Sequence, residues 1–390
     1  MRVMIASDLH KPTINGIATF GHNLAKGLAA AGHEVLVVAP SQTGKRYEET
    51  DPEGYLLART SSIIFPFYQN LRISASPTRE IKRIARNFKP DIIHVQTPLG
   101  VGLGAVAAAK KYKLPLVATN HSMSENLVDN LKLLAPFTKQ IDFILREYGN
   151  RFYNHADFVT LPTEAAVKML RNNSFSKPYK AISNGIDLSQ FQPGRAEAGF
   201  YEQFNIPTDK PIVLYLGRLD AEKHVSILVR AVHKLLPTTD LHLVVAGFGN
   251  DLERLRDLAR DLDMAGAATF TGRVDEAVKN QFYKAATLFA MPSPAELQSI
   301  VTLEAMASGL PVVAVNAGAV YELCQDGRNG YLYELDNVDD LAVKIKSVLT
   351  DQNLAAKMGA ESLKIAHEHD LDETIRRFER LYAQVIAAKE

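Results

Sequence analysis

Short apolar runs alternate with longer segments of helical spacing along the whole chain. In the first half, runs of strand length lie at Arg2–Ser7, Glu34–Ala39, Ile92–Gln96, Leu116–Thr119 and Phe158–Pro162. In the second half they lie at Ile212–Leu216, Leu241–Ala246, Ala268–Thr271, Leu288–Met291 and Pro311–Val315. Segments of helical spacing between them include Thr19–Ala31, Thr78–Asn87 and Leu103–Tyr112. This alternation predicts the α/β class, with parallel sheets joined by crossover helices.

The pattern restarts after a stretch punctuated by Pro and Gly, which predicts two domains. We expect a Rossmann-like domain over 1–183, a linker over 184–210 and a second Rossmann-like domain over 211–370. Helical spacing over 371–390 predicts a terminal helix, and whether it crosses back to the first domain is left open. Doubly wound sheets bind ligands outside the carboxyl ends of their strands. We therefore expect two such domains facing each other across a cleft, with the chemistry in loops that follow strands.

Composition and charge narrow the class of protein. The 390 residues include 44 basic and 44 acidic ones, which argues against a dedicated nucleic-acid binder. Cys324 is the only cysteine, which excludes an intrachain disulfide and a cysteine zinc cage. The first apolar run stops at Asp8, too early for a signal peptide, and the weakly polar stretch 101–109 is too short to span a membrane. We expect a cytoplasmic protein whose membrane contact, if any, is peripheral at the inner face of the cell membrane.

Two glutamates flank the start of a predicted helix in the second half. Glu296 lies in the loop after the strand Leu288–Met291, and Glu304 lies further on, inside the helix. The helix N-terminus near Ser299 and Ile300 presents N–H groups and the positive end of the helix dipole, which suit a phosphate. Carboxylates beside a phosphate repel it unless they are aimed at hydroxyls, such as those of a sugar or a ribose. Acids at a helix start are also common as ordinary solvated residues.

An arginine and a lysine follow the first predicted strand of the second half. Arg218 and Lys223 lie in the segment Tyr-Leu-Gly-Arg-Leu-Asp-Ala-Glu-Lys. In one loop they can converge on a diphosphate, the arginine as a fork and the lysine as a point charge. Fixed cations would stabilise the charge that a departing nucleotide gains, without a metal ion. An ordinary surface loop would also carry a pair of this spacing.

The first half offers two weaker signals. Gly16 opens a helix directly after the first strand, where its backbone can approach a phosphate. His121 follows the strand Leu116–Thr119, and a histidine at a strand end is more often a structural hydrogen-bonder than a catalyst.

Together these segments resemble the family 4 retaining glycosyltransferases of the GT-B fold. The segment from Glu296 to Glu304, with the trailing Ala-Met-Ala-Ser-Gly-Leu-Pro-Val-Val-Ala, is similar to the family's E-x7-E motif. The segment around Arg218 and Lys223 is similar to its G-R-x-x-x-x-K signature. The resemblance implies that Glu296 faces the donor hexose and that Glu304 binds the ribose hydroxyls. It also implies that His121 lies beside the transferred sugar and holds a hydroxyl and the edge of the departing phosphate.

Further matches and some departures complete the resemblance. The stretch with Arg273 and Val274 is similar to the family's strand-end stretch whose backbone binds the nucleotide base. Residues 182–191 are similar to the family's segment between the two domains. The family usually has glycine at three positions where this chain has other residues. These are Asn15 just before Gly16, Ser299 at the predicted helix start and His224 after the lysine.

The resemblance also implies a retaining reaction that yields an α-glycoside. The chain offers no convincing covalent nucleophile, so we expect the leaving phosphate oxygen to deprotonate the incoming hydroxyl on the same face. Asp-x-Asp pairs, which chelate divalent ions in other glycosyltransferases, occur at 261/263 and 370/372 in charged helical segments, and we interpret them as solvated surface. We expect no metal and no other cofactor, because Arg218 and Lys223 take the place of the ion.

Charge asymmetry bears on the acceptor. Residues 1–183 carry 23 Lys/Arg against 14 Asp/Glu, whereas the remainder carries 21 against 30. Basic residues in Thr78–Lys89, and basic with apolar residues in Ala135–Tyr153, would suit an anionic membrane surface, although solvated faces of packed helices look the same. The region from His121 to Asp187 resembles bacterial enzymes that glycosylate diacylglycerol or phosphatidylinositol. We favour a UDP-hexose donor and a membrane-lipid acceptor. A GDP-hexose donor and a soluble sugar or polysaccharide acceptor stay open as alternatives, as do the identity of the hexose and the oligomeric state.

Other classes fit the residues less well. An NAD-dependent oxidoreductase needs G-x-G-x-x-G after a strand, and the segment Ala246-Gly-Phe-Gly-Asn lacks the third glycine. A non-catalytic interaction module would not need polar groups at several strand ends. A nucleotide-sugar epimerase of similar architecture stays as the alternative of another class.

Overall fold

The computed structural model describes residues 1–13, 15–65, 72–121, 138–171 and 176–390. The chain divides into two compact units, one formed by 1–185 with 371–390 and the other by 186–370. Each unit has its own mainly parallel sheet with helices, which confirms the α/β class and the two Rossmann-like domains.

The strands are β1 (Arg2–Ala6), β2 (Glu34–Pro40), β3 (Tyr47–Thr50), β4 (Leu56–Thr60), β5 (Ser62–Ile64), β6 (Arg72–Ser74), β7 (Ile92–Val95), β8 (Leu116–Thr119), β9 (Phe158–Leu161), β10 (Tyr179–Ala181), β11 (Ile212–Leu216), β12 (His242–Ala246), β13 (Ala268–Gly272), β14 (Leu288–Met291), β15 (Val312–Val315) and β16 (Gly330–Tyr333). The helices are α1 (Gly16–Ala30), α2 (Pro77–Phe88), α3 (Gly100–Tyr112), α4 (Thr138–Tyr153), α5 (Glu164–Arg171), α6 (Ala198–Phe204), α7 (Val225–Leu235), α8 (Leu252–Asp261), α9 (Glu276–Ala285), α10 (Ile300–Ala307), α11 (Val338–Leu349), α12 (Gln352–His367) and α13 (Leu371–Ala387).

The first unit contains an eight-stranded sheet in the order β10-β9-β8-β7-β1-β2-β4-β3. Its strand pairs are parallel except β3 with β4, and β5 pairs with β6 in a separate hairpin. The strands predicted for the first half are all present, whereas β3 to β6 and β10 were not predicted. The reason is visible in β3, whose sequence Tyr-Glu-Glu-Thr is polar and largely exposed because it lies at the sheet edge.

The terminal helix α13 belongs to the first unit. Its apolar residues face a core shared with α1, and Phe378 lies 5.7 Å from Phe20, ring centroid to ring centroid. The positions that the helical spacing predicts as its apolar face are all buried. They are Ile375, Phe378, Leu381, Tyr382 and Val385.

The second unit contains a six-stranded parallel sheet in the order β13-β12-β11-β14-β15-β16. From β11 the chain moves outward on one side to β12 and β13, then returns to the other side at β14. The carboxyl ends of β11 and β14 are therefore the topological switch point, where open sheets of this kind bind ligands. Every strand predicted for the second half is present, while β16 was not predicted.

Of the stretch 184–210, expected from its Pro and Gly content to be a linker, residues 186–210 pack within the second unit. It forms α6 and contributes Phe191, Phe200 and Ile206 to that unit's core. Among the described residues, no helix combines the length and the apolar character needed to cross a bilayer.

Candidate active site

The switch point of the second unit brings two of the predicted residues into direct contact. Lys223 follows β11 and Glu296 follows β14, and the Lys223 Nζ donates to Glu296 Oε1 at 2.7 Å. The lysine Nζ also lies 3.5 Å from the Ser293 hydroxyl. The side chains of Lys223 and Glu296 are only 12% and 15% exposed, so the ion pair is largely shielded from water. The structure thus joins a predicted cation to a predicted acid at the strand ends.

Arg218 lies in the same loop and is oriented by two acids that the sequence did not single out. One guanidinium nitrogen donates to Glu222 Oε1 at 2.6 Å, and the other donates to Asp220. Both carboxylates are almost wholly buried, whereas the arginine side chain is 22% exposed. Acids two and four residues after an arginine look like ordinary loop charges in a sequence, so the pattern gave no signal. In the structure they fix the position of the guanidinium.

The loop that carries Arg218 packs tightly on the loop after β12. The Leu219 N–H donates to the Phe248 carbonyl at 2.9 Å. A Cβ added at Gly247 would lie 1.8 Å from the Gly217 oxygen, and one at Gly249 would lie 2.3 Å from the Leu219 oxygen. The Gly-Phe-Gly segment, too short for a dinucleotide fingerprint, therefore has a different use here. Its missing side chains let the backbone of the arginine loop approach.

Gly247→Ala tests this close packing. Gly247 has a φ of +154°, so alanine adds backbone strain to the clash, and we expect the free energy of unfolding to fall by about 2–4 kcal/mol. Gly266→Ala is the matched control, because Gly266 has a φ of +78° but nothing within 4 Å of an added Cβ, so strain alone costs about 1 kcal/mol. Urea denaturation measures both. Equal losses for the two variants would contradict the packing argument.

Glu304 is buried, and each of its carboxylate oxygens accepts a hydrogen bond. The Lys279 Nζ donates to Oε1 and the Tyr283 hydroxyl donates to Oε2, both at 2.6 Å. Burial raises the pKa of Glu304 above its ordinary value, although Lys279 and Tyr283 act against that rise. Lys279 and Tyr283 lie four residues apart on one face of α9, a relation that becomes visible only once the helix is known.

Lys279→Met should destabilise the protein in a pH-dependent way. The change leaves Glu304 buried without its cation, and breaking a buried pair costs about 3–5 kcal/mol at pH 7. The pKa of Glu304 then rises further, because Lys279 lowers it in the native protein. A carboxyl whose folded pKa exceeds its unfolded pKa gains stability as pH falls, so the deficit should shrink between pH 7 and pH 5.

Urea denaturation of wild type and Lys279→Met at both pH values measures this. Lys234→Met, which removes the half-exposed ion-pair partner of the exposed Asp339, serves as the control and should change stability by less than about 1 kcal/mol. A deficit that is the same at both pH values would contradict the assignment to Glu304.

The three departures from the family's glycines each have a local backbone explanation. Ser299 is the N-cap of α10, and its Oγ accepts from the Thr302 N–H at 3.3 Å. Asn15 caps α1 in the same way, with its Oδ1 accepting from the Ala18 N–H at 2.8 Å. His224 has a φ of +50°, the left-handed conformation that suits glycine and that histidine adopts more readily than most residues. The backbone course therefore does not require glycine at these positions.

Other residues predicted to bind the donor lie at the same edge of the sheet in the second unit. Arg273 and Val274 directly follow β13. The Arg273 guanidinium stacks over the Phe248 ring at 4.7 Å from its centroid, and Val274 packs on the core. Ile300 is the first residue of α10, after the Ser299 cap.

The two predicted residues of the first unit also follow strands of one sheet. Gly16 begins α1 after β1, and His121 follows β8. The His121 Nε2–H donates to the Gln96 side-chain oxygen at 2.6 Å, and burial lowers the pKa of His121 to about 3. The ring is therefore neutral at pH 7 and keeps Nδ1 as a hydrogen-bond acceptor.

Asp8, two residues after β1, is a buried acid that the sequence pattern did not single out. Its carboxylate accepts from the Val101 N–H at 2.8 Å and the Gly102 N–H at 3.3 Å at the start of α3. This is a structural use, since a carboxylate suits a helix N-terminus. The acids of the two Asp-x-Asp pairs lie on helix ends, and Asp261, Asp263 and Asp372 are exposed.

Two family models match the chain and together span most of it. Residues 14–190 match the model "Glycosyltransferase Family 4", and residues 200–364 match "Glycosyl transferases group 1". The boundary between the two matches falls near residue 195, within the stretch expected to be a linker.

Curated relatives cover nearly the whole chain. It is 29% identical to the sulfoquinovosyl transferase SQD2 of Arabidopsis thaliana, over 92% of this chain and 68% of that one. It is 28% identical to the alpha-monoglucosyldiacylglycerol synthase of Streptococcus pneumoniae, over 96% of this chain and 86% of that one. It is 24% identical to a GDP-mannose-dependent alpha-mannosyltransferase of Corynebacterium glutamicum, over 99% of this chain and 90% of that one.

Solved structures share the fold. The sucrose-phosphate synthase of Thermosynechococcus elongatus superposes with a TM-score of 0.83 at 22% identity, covering 99% of each chain. Anabaena HepE in complex with UDP-glucose superposes with a TM-score of 0.79 at 20% identity, covering 98% of this chain and 100% of that one. These structures show the GT-B fold, and the two family models with the relatives show that the chain belongs to the family 4 glycosyltransferases.

Proposed function

We propose that this glycosyltransferase moves a hexose from UDP-hexose to a hydroxyl of a membrane lipid such as diacylglycerol, with retention, so that an α-glycoside forms. The observation that carries the proposal is the shielded pair of Lys223 with Glu296, 2.7 Å apart, at the switch point of the second sheet. A donor placed there meets a cation for its diphosphate and a carboxylate for its sugar hydroxyls.

The diphosphate is assigned to three features of the second unit. Lys223 supplies an ammonium group, and Arg218 supplies a guanidinium group that Asp220 and Glu222 hold in place. The helix α10 presents its N-terminal N–H groups after the Ser299 cap. These fixed charges stabilise the charge that the nucleotide gains as it leaves. On this proposal no metal ion is required, so activity should survive an excess of EDTA.

The sugar and the ribose are assigned to the carboxylates. Glu296 accepts from hexose hydroxyls near the reacting carbon, and Glu304 accepts from the ribose hydroxyls in addition to its bonds from Lys279 and Tyr283. In the first unit, His121 accepts a sugar hydroxyl at Nδ1 while Gln96 fixes its ring. The leaving phosphate oxygen takes the proton of the incoming acceptor hydroxyl, and the new bond forms on the face from which the phosphate departs.

The lipid acceptor is supported by the relatives and by the surface of α4. The relative from Streptococcus pneumoniae is an alpha-monoglucosyldiacylglycerol synthase. On α4, Phe143 is 70% exposed and Ile144 is 63% exposed, an amphipathic combination with Arg146 that suits a bilayer interface. Within the stretch 135–153 expected to contact the membrane, residues 135–137 and the side chain of Lys139 lie outside the described residues. The peripheral location at the cell membrane rests on the same argument.

The test supplies purified protein with UDP-glucose or GDP-mannose, and with either diacylglycerol vesicles or soluble glucosides. We expect a diacylglycerol glycoside from UDP-glucose, with the α-anomer identified by proton NMR. A β-anomer would overturn the retaining mechanism. Transfer only to the soluble acceptor would favour the second candidate, the same chemistry on a soluble sugar or polysaccharide. Family membership favours transfer over the epimerase alternative, and an epimerised nucleotide sugar without transfer would reverse that preference.

A further inference from the structure

The loop that follows β15 packs against the backbone of the loop that carries Glu296. The Ala319 N–H donates to the Glu296 carbonyl oxygen at 2.9 Å. Gly318 lies beside the same stretch, where an added Cβ would be 2.5 Å from the Pro294 oxygen and 3.0 Å from the Glu296 oxygen. The loop after β15 contains none of the residues predicted for the site. It nevertheless contacts the residue whose carboxylate is assigned to the hexose.

Gly318 is the residue that makes this close approach possible. Its φ of +59° lies in the left-handed region, which glycine enters without strain. A Cβ essentially never lies closer than 3.0 Å to another heavy atom, so one added here would push the Pro294 oxygen away by about 0.5 Å or more. The space between the two loops therefore fits a glycine and no larger residue.

The short turn after this glycine is anchored in the core of the second unit. Val320 and Leu323 are 0% and 1% exposed and belong to a buried apolar cluster of that unit. The wholly buried Asn329 donates from its Nδ2 to the Leu323 oxygen at 3.0 Å. Moving this turn would disturb a close-packed core. Residues 294–296 of the facing loop are partly exposed, so a clash between the loops should displace that stretch instead.

Glu296 is thus held at two points, one on its side chain and one on its backbone. Lys223 holds the carboxylate at 2.7 Å, and the Ala319 N–H holds the carbonyl oxygen. On the proposed function a donor diphosphate also engages Lys223, which weakens the first hold and leaves the second unchanged. A catalytic group must stay within about 0.5 Å of its productive position, and a misplacement of about 1 Å can cost about 100-fold in rate.

We propose that Gly318 and the Ala319 N–H are the positioning elements of Glu296, which keep its carboxylate aimed at the donor hexose. Both act through the backbone of Glu296, and neither touches the substrate. The inference rests on the proposed role of Glu296 toward the hexose, and it adds a part of the chain outside the recognisable motifs to the catalytic apparatus.

A double-mutant cycle of Gly318→Ala with Glu296→Gln tests the proposal. The assay follows UDP release from UDP-glucose without acceptor. Gly318→Ala should lower kcat/KM about 10- to 100-fold when Glu296 is present, and less than about threefold in the Glu296→Gln background, because the positioned carboxylate is then already gone. The Kd for UDP, measured by calorimetry, should change by less than about threefold, since the diphosphate is assigned to Arg218 and Lys223 on another loop.

Gly327→Ala is the matched control, and Gly318→Asn is a second variant. Gly327 lies shortly before β16 with a φ of +72° and nothing within 4 Å of an added Cβ, so its kcat/KM should stay within about twofold of wild type. Asparagine adopts a positive φ more readily than alanine but carries the same Cβ. Gly318→Asn should therefore fold with less strain and still lose activity. Circular dichroism melting curves verify the fold of each variant.

The outcomes separate this inference from the proposed function. Equal losses from Gly318→Ala in both backgrounds would overturn the inference alone, because the glycine would then act on the fold and not through Glu296. Wild-type activity of Gly318→Asn would also overturn it, since strain and not contact would explain the alanine variant. Full activity of Glu296→Gln would instead overturn the proposed role of Glu296, and the inference would fall with it.

Discussion

Arg218→Ala should lower kcat about 100- to 1000-fold, the usual effect of removing one preorganised charge-stabilising group. The guanidinium is fixed by Asp220 and Glu222, so it needs no reorganisation when the leaving phosphate gains charge. Much of its contribution should appear only in the transition state, and the Kd for UDP should rise by a smaller factor than kcat falls. Steady-state kinetics with UDP-glucose and calorimetry with UDP measure the two effects separately.

Arg254→Ala is the control for this variant. Arg254 lies in the same unit and makes a two-nitrogen pair with Asp251 at 2.5 and 2.7 Å, but its side chain is 61% exposed. Its loss should leave kcat within about twofold, as for most exposed ion pairs. If Arg218→Ala turned over donor as fast as wild type, the mechanism in which this arginine stabilises the leaving group would be wrong.

Lys223→Met and Glu296→Gln should each reduce kcat/KM by about 100-fold or more, and the two losses should not add. The two side chains are 2.7 Å apart and largely buried, so removing either one leaves the other without its ion-pair partner. The double variant should therefore be only slightly slower than the slower single variant, because residues in direct contact couple.

The exposed pair of Lys210 with Asp240, 2.9 Å apart in the same unit, supplies the control cycle. Its lysine side chain is 32% exposed and its aspartate 71% exposed, so Lys210→Met and Asp240→Asn should each change kcat/KM by less than about twofold. If the losses in kcat/KM of Lys223→Met and Glu296→Gln added strictly in the double variant, the two residues would act independently. That result would contradict their assignment to one shared donor site.

The strands of the core were predictable because parallel strands buried on both faces leave continuous apolar runs. The residues of β11 and β14 are all buried, and both strands were predicted with their exact bounds. The polar edge strand β3 leaves no such run, since its side chains remain in water. The stretch 184–210 shows the opposite case, since its Pro and Gly residues predict a linker. Residues 186–210 instead pack in the second unit, because isolated aromatics such as Phe191 and Phe200 are buried in its core.

The site was predictable where a residue sits in a recognisable motif beside a strand end. Lys223 and Glu296 were found in this way, and the structure brings them together. The residues that hold Arg218 and Glu304 in place carry no sequence signal, because Asp220, Glu222 and Lys279 look like ordinary surface charges until the fold buries them. Orientation by supporting contacts is a tertiary property.

The most direct test is the affinity of the protein for UDP relative to uridine, measured by calorimetry in wild type and in Arg218→Gln combined with Lys223→Gln. If these cations hold the diphosphate, wild type should prefer UDP by about 100-fold or more, in line with charge-assisted bonds at two sites. The double variant should lose most of that preference while still binding uridine. A preference that is the same in both proteins would contradict the assignment of Arg218 and Lys223 to the donor diphosphate.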